Sequence, residues 1–166
     1  QKLFTSAPPE LQFGLKVPEE VTAEVFPKHA RYGPRAGMVN ESYLNADALA
    51  ALCLAPLEPY RKRIGPLIFE FGARGASPRE FAARLDPFLG ALPQTFRYAV
   101  EVRNREYLQP RYFEILRQHR APHVLNAWTK MPPLSEQIAM PDVFPADFPF
   151  FRPVLLQGRP SEDAGR

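Results

Sequence analysis

The feature that most limits how this chain can fold is a repeated change of hydrophobic period. Residues 11–16 (LQFGLK) alternate, with Leu11, Phe13 and Leu15 on one face and Gln12, Gly14 and Lys16 on the other. That is the pattern of a half-buried strand. Residues 66–71 (PLIFEF) form a compact apolar run, 96–103 (FRYAVEVR) alternate again, and 122–126 (PHVLN) and 151–157 (FRPVLLQ) supply two more strand-length runs. Between them the spacing becomes helical. Asn45 can cap a helix over 46–54, which Pro56 and Pro59 are expected to interrupt. Ser77-Pro78-Arg79-Glu80 has the form of a capping box with proline at the first helical position. Phe81, Leu85, Phe88 and Leu89 carry that helix on to about residue 92. A further helix is expected over 110–118 and a helical turn over 135–139. Residues 18–44 show no sustained period and read as a long loop.

Strands separated by helical segments point to βαβ crossovers and a parallel sheet. About five strands fit either a five-stranded doubly wound sheet or part of an eight-stranded barrel. No glycine-rich phosphate loop follows a strand, which counts against a nucleotide-binding open sheet. At 166 residues, 45% hydrophobic and 23% charged, the chain has the apolar content for one core. Its twenty prolines are interleaved with apolar runs and read as loop stiffeners. The single cysteine, Cys53, leaves no internal disulfide and no multi-cysteine zinc site, and it reads as a packing residue. No stretch approaches the ~20 apolar residues of a membrane span, so a soluble, cytoplasmic protein with no membrane partner is expected. A net charge of +3 permits a phosphate-bearing ligand without arguing for nucleic acid.

Lys16, Glu70, the pair Glu101/Arg103 and Asn126 each stand at the carboxyl end of a strand run. Parallel α/β folds bind their ligands at that end. Parity adds to this. Tyr98, Val100 and Val102 form the face that would meet helices, while Ala99, Glu101 and Arg103 share the opposite one. Glu70 shares parity with Ile68, and Asn126 with Val124. Carboxylates and cations converging there suit acid/base work and anion stabilisation. The structural alternative is a buried ion-pair cluster with no ligand. Trp128 either stacks on a ligand or packs. His29, His119 and His123 lack metal-ligand spacing, and neither a metal nor a cofactor is assigned. Arg31, Arg35, Arg61, Lys62 and Arg63 read as solvated surface, with phosphate or nucleic-acid contact as the alternative.

At FRYAVEVRNREYL the chain resembles the YecE-like family, described as domain of unknown function 72. The likeness extends in order through LQFGLKVPEEVT, RIGPLIFEFG, HVLNAWTKMPPLSEQ and VLLQGR. It implies a TIM-barrel-like (β/α)8 fold, of which about five β/α units are present, making 1–166 a single partial domain of that kind. It also implies a longer chain, or a fragment completed by a partner. By position, Lys16, Glu101 and Arg103 match the family's strand-end lysine, acid and arginine. Asn104 stands where many members have histidine, Tyr107 where tryptophan is frequent, and Glu70 where glutamine is frequent. The family's glycine-rich first strand and acidic, aromatic second-strand motif have no counterpart here.

Three functions follow as expectations. The first is an enzyme acting on a small anionic substrate, such as a phosphorylated one. Glu101 would be its acid/base, Lys16 and Arg103 the anion holders, and Glu70, Asn104, Asn126 and Trp128 the ligand contacts. The second is a nucleic-acid-associated barrel using the basic 61–63 region. The third is a non-catalytic ligand-binding or interaction module. Fold alone does not choose among them.

Overall fold

The computed structural model describes residues 6–8, 10–141, 143 and 150–152. Its centre is β2 (Ile64–Phe71), buried along nearly all its length, as the continuous apolar run predicts. β1 (Phe13–Lys16) and β3 (Arg97–Val102) flank it, both parallel. β4 (Val124–Asn126) and β5 (Phe150–Arg152) form a second parallel pair. A parallel bridge between Val100 and His123, with the Val100 N–H donating to Pro122, links β3 to β4. Each strand therefore lies beside the next one in the sequence. A doubly wound sheet would reverse direction at its centre, and this one does not. Among the described residues β1 and β5 each have one strand neighbour, so the expected closure of a TIM-like barrel is not seen there. Residues 153–157 of the expected last strand lie outside the described residues.

The register of β1 on β2 slips between Phe13 and Leu15, where Gly65 and Pro66 of β2 oppose Gly14 alone of β1. Two features of β2 go with the slip. Pro66 has no N–H for a ladder bond, and Gly65 lies so close to β1 that a Cβ would sit 3.3 Å from the backbone of Phe13 and Gly14.

Helices cover one face of the sheet. α1 (Glu19–Thr22) is a single turn after β1, and a 3-10 segment follows at Ala30–Arg35. The expected loop over 18–44 is thus partly structured, with a further antiparallel bridge between Val25 and Val39. α2 (Ala46–Leu49) starts where Asn45 accepts from the Ala48 N–H. It does not stop at the prolines. A π-helical stretch, Ala50–Leu54, and the turns Ala55–Leu57 and Glu58–Arg63 carry it to β2. Ala55 donates five residues back, to Ala50, just before Pro56, whose missing N–H a regular helix would leave as a gap. α3 (Pro78–Gly90) has both bonds of the Ser77–Glu80 capping box, α4 is Pro110–Gln118, and α5 is Leu134–Ile138.

The strand faces divide by parity. Leu67, Phe69, Phe71, Tyr98, Val100, Val102 and Leu125 join the helices in the main core. Ile68, Ala99 and Val124 form a separate small cluster on the opposite face. Phe69 packs edge-on against Phe88 of α3, and Phe81 of α3 stacks on Tyr107 at 4.2 Å.

His123 is buried between β4 and α4, where its Nδ1 meets the Tyr112 hydroxyl at 2.9 Å and its Nε2 makes no close hydrogen bond among the described residues. Burial pulls its pKa down from 6.5 to about 4, partly offset by nearby Gln137. The unfolded chain therefore takes up this proton first as pH falls. The contribution of neutral His123 is whole above pH 6.5 and is lost on the way down to about 4. Chemical denaturation at pH 7 and pH 4.5 should show a loss of about 2–3 kcal/mol from this group. In His123→Gln the loss over the same interval should be smaller by that amount.

Candidate functional site

The small cluster of Ile68, Ala99 and Val124 is the floor above which the strand-end charges gather. Two residues further along each strand, Glu70 and Glu101 are direct cross-strand partners. Two neighbouring carboxylates repel unless cations separate them, and two cations are present. Arg103 donates from Nε to Glu101 Oε1 at 3.3 Å and from Nη2 to Glu70 Oε2 at 3.0 Å. Lys16 donates to the other Glu70 oxygen at 2.9 Å. Glu70 thus lies between Lys16 and Arg103, with one oxygen for each.

Exposure grades this cluster. Glu101 has no exposed side-chain surface, whereas Glu70 is 10% exposed, Arg103 19% and Lys16 36%. Lys16 and Arg103 therefore present the solvent-facing donors, Glu70 is the carboxylate nearest solvent, and Glu101 is the charge beneath. The guanidinium of Arg103 also lies over the Trp128 ring at 4.6 Å, a contact that fixes the plane of the cation. Trp128 both packs and stacks: it is half-buried against the main core, and the charge it faces is Arg103.

Asn126 is fully buried, and its side chain is committed to backbone. Its Nδ2 donates to Val102 at 3.2 Å, and its Oδ1 accepts from the Trp128 N–H at 3.2 Å. It ties the end of β3 to the turn that carries Trp128. Asn104 caps the short 3-10 turn Arg105–Tyr107 by accepting from the Glu106 N–H.

Gln137 and Glu19 were not singled out in the sequence. Gln137 is fully buried and donates to Asn126 O at 2.8 Å and Pro132 O at 2.6 Å, closing the turn from β4 to α5. A glutamine inside an otherwise amphipathic turn was the available signal. Glu19 lies 3.6 Å from Lys16 and 2.7 Å from Arg31, extending the cluster outward. Its spacing of three from Lys16 was visible, but the approach of Arg31 was not.

The basic stretch at 61–63 lies before β2, at the opposite end of that strand from Glu70. Arg61 pairs with Glu58, and Arg63 donates to the carbonyls of Ala7, Pro8 and Leu11. His119 pairs with Asp86 at 2.8 Å, and the His29 ring accepts from the Arg31 N–H. Among the described residues no three His, Cys, Asp or Glu side chains are grouped to hold a metal, and no helix is long and apolar enough to cross a membrane. Cys53 is buried, which pushes its thiol pKa up.

Fold and site together define an α/β protein with a sequential parallel sheet and a paired charge cluster at the carboxyl ends of its strands. The family model for Protein of unknown function DUF72 matches residues 1–163, and the chain belongs to that family. No curated protein and no solved structure matches the chain.

Removing the central cation should expose the cost of the charge it covers. Arg103→Met takes a counter-ion from both buried Glu101 and Glu70 and is expected to destabilise the fold by about 3–5 kcal/mol at pH 7. Adding Glu101→Gln should recover most of that loss in urea denaturation. Simple additivity of the two variants would show that the pair does not act as a unit.

Proposed function

We propose that this protein is a barrel-type enzyme that holds a small anionic substrate, such as a phosphorylated one, at the carboxyl ends of its strands. The observation that carries the reading is the Lys16–Glu70–Arg103 arrangement, two cations with a carboxylate between them at the solvent-facing end of the inner strand face. The strand order β1 to β5 is the order in which strands succeed one another around a (β/α)8 barrel, and that fold puts ligands at this end.

In this reading Lys16 and Arg103 hold the anion. Glu70 moves the proton, because it is the carboxylate a ligand can reach. Glu101 was the acid/base expected from the sequence. Its complete burial suits it instead to fixing Arg103. Trp128 keeps the guanidinium flat, and Asn126 keeps Trp128 in place. A nuclease reading would use the basic 61–63 region, but Arg63 is engaged with the backbone of residues 7–11, far along β2 from the cluster.

Trp128 is the only tryptophan in the chain and touches Arg103, so its fluorescence reports on the site. Inorganic phosphate should change that fluorescence saturably, and Lys16→Ala should weaken the binding about tenfold. Lys16 is partly exposed, so this variant should keep its melting temperature. A phosphate response untouched by Lys16→Ala would refute the assignment. In a panel of small phosphorylated compounds, Glu70→Gln should abolish turnover. A variant that still turns substrate over would remove Glu70 from the chemistry, and binding with no turnover by the unmodified protein would favour the non-catalytic module.

A further inference from the structure

Beside the strand-end cluster runs a groove of about 400 Å³, between α1 and the 3-10 segment that follows it. Its size lies within the range of small-molecule sites. Lys16 belongs to both places. It holds Glu70 on one side, lines the groove on the other, and meets Glu19 there at 3.6 Å. Glu19 reaches onward to Arg31 at 2.7 Å, and Arg35 meets Glu20 at 3.4 Å. The charged chain therefore runs without a break from Arg103 through Glu70, Lys16 and Glu19 to Arg31.

The two arginines are held in shape. Arg31 lies over the Tyr32 ring at 4.7 Å and Arg35 over the Phe26 ring at 4.8 Å, while Phe26 and Tyr32 pack on each other at 5.5 Å. Beyond this segment, the buried side chain of Asn40 ties the chain back to α1 by donating to Glu20 O at 2.9 Å and Ala23 O at 2.7 Å. Both guanidiniums nevertheless have more than half of their side chains exposed, 58% for Arg31 and 52% for Arg35. Cations fixed by stacking yet open to solvent lose little entropy when an anion arrives.

Glu19 already makes the contacts that an anion at this place would make. Its two oxygens face two different cations, Oε1 towards Lys16 and Oε2 towards Arg31. A ligand anion bridging Lys16 and Arg31 would make the same two contacts. Exposed pairs of this kind contribute at most about 1 kcal/mol each, so a multiply charged anion can displace the carboxylate.

We propose that the ligand of this protein carries two anionic groups, one held by Lys16 and Arg103 and the second held in the groove by Arg31 and Arg35, with Glu19 as the internal carboxylate that the ligand displaces. The inference rests on the strand-end cluster being an anion site, and it adds a second anchoring point and hence a substrate class, a diphosphate-like or doubly acidic small molecule.

Inorganic phosphate and pyrophosphate serve as probes on the full chain, with Trp128 fluorescence and calorimetry as readouts. Pyrophosphate should bind at least about tenfold more tightly than phosphate, one further charge-assisted contact being enough for that ratio. The double variant Arg31→Ala/Arg35→Ala should erase this preference while phosphate binding stays within about twofold. Glu19→Gln should tighten pyrophosphate about fivefold by removing the competitor. Arg61→Ala, outside the groove, should leave the preference intact, and thermal unfolding checks that each variant is folded. Equal affinity for the two anions would overturn the proposal and leave the strand-end reading standing. So would a preference that survives the double variant or falls equally in Arg61→Ala. Failure of both anions to bind would remove the strand-end reading and this inference together.

Discussion

Glu101 has no exposed surface, and a carboxylate in that position is tolerated only when its polar partners are held in place as firmly as it is. Most of the upper end of the sheet can be traced to that requirement. Arg103, two residues on along the same face, supplies the partner, and its second arm reaches Glu70 on β2. The guanidinium needs a fixed plane, and the Trp128 ring provides it. Trp128 needs a fixed backbone, which Asn126 secures by accepting from its N–H. Gln137 in turn holds Asn126. A single buried carboxylate thus accounts for why polar residues from β2, β3, β4 and α5 are found together at one end of an otherwise apolar sheet.

The sequence carried much of this where the deciding interaction is local. The helix over Pro110–Gln118 is found where the apolar spacing puts it, and the Ser77 capping box forms both of its bonds, because both depend on residues within one turn. Parity along FRYAVEVR separated Val100 and Val102 from Ala99 and Glu101 for the same reason: a strand has a period of two whatever surrounds it. Local information fails where the answer depends on a distant partner. Pro56 and Pro59 do interrupt the regular helix, but the π-helical form that Ala50–Leu54 takes before them is not written in any local pattern. Arg31 approaches Glu19 only because residues 23–30 bring the 3-10 segment back beside α1, a path that no local pattern encodes. Glu101 and Asn126 were rightly placed at strand ends, but their depth is set by neighbouring strands and turns that no single segment encodes.

Between the buried pair and the solvent the site is graded. Glu101 lies at the bottom, Glu70 and Arg103 are partly covered, and Lys16 stands at the rim, where it joins the groove. The deepest groups are the most shielded from solvent and the outermost arginines the least, so the rim has charge available for exchange while the base does not. A ligand entering from the groove would trade contacts with exposed carboxylates long before it disturbed the pair that the fold requires.

The division of each strand into a helix-packed set and a charged set on the opposite face also bears on how such a protein can change over time. Phe69, Phe71, Val100 and Val102 answer to packing against α3 and α4, whereas Glu70 and Glu101, interleaved with them one by one, answer to charge. Substitutions on the first set can drift with the helices they touch without altering the electrostatics of the second. The more exposed charges of the second set can be exchanged for other chemistry without repacking the core, so long as the Glu101–Arg103 pair is kept. Alternate positions of the same few residues are therefore free to evolve at different rates, and one face of the sheet can change its chemistry while the other remains, to its helices, the same.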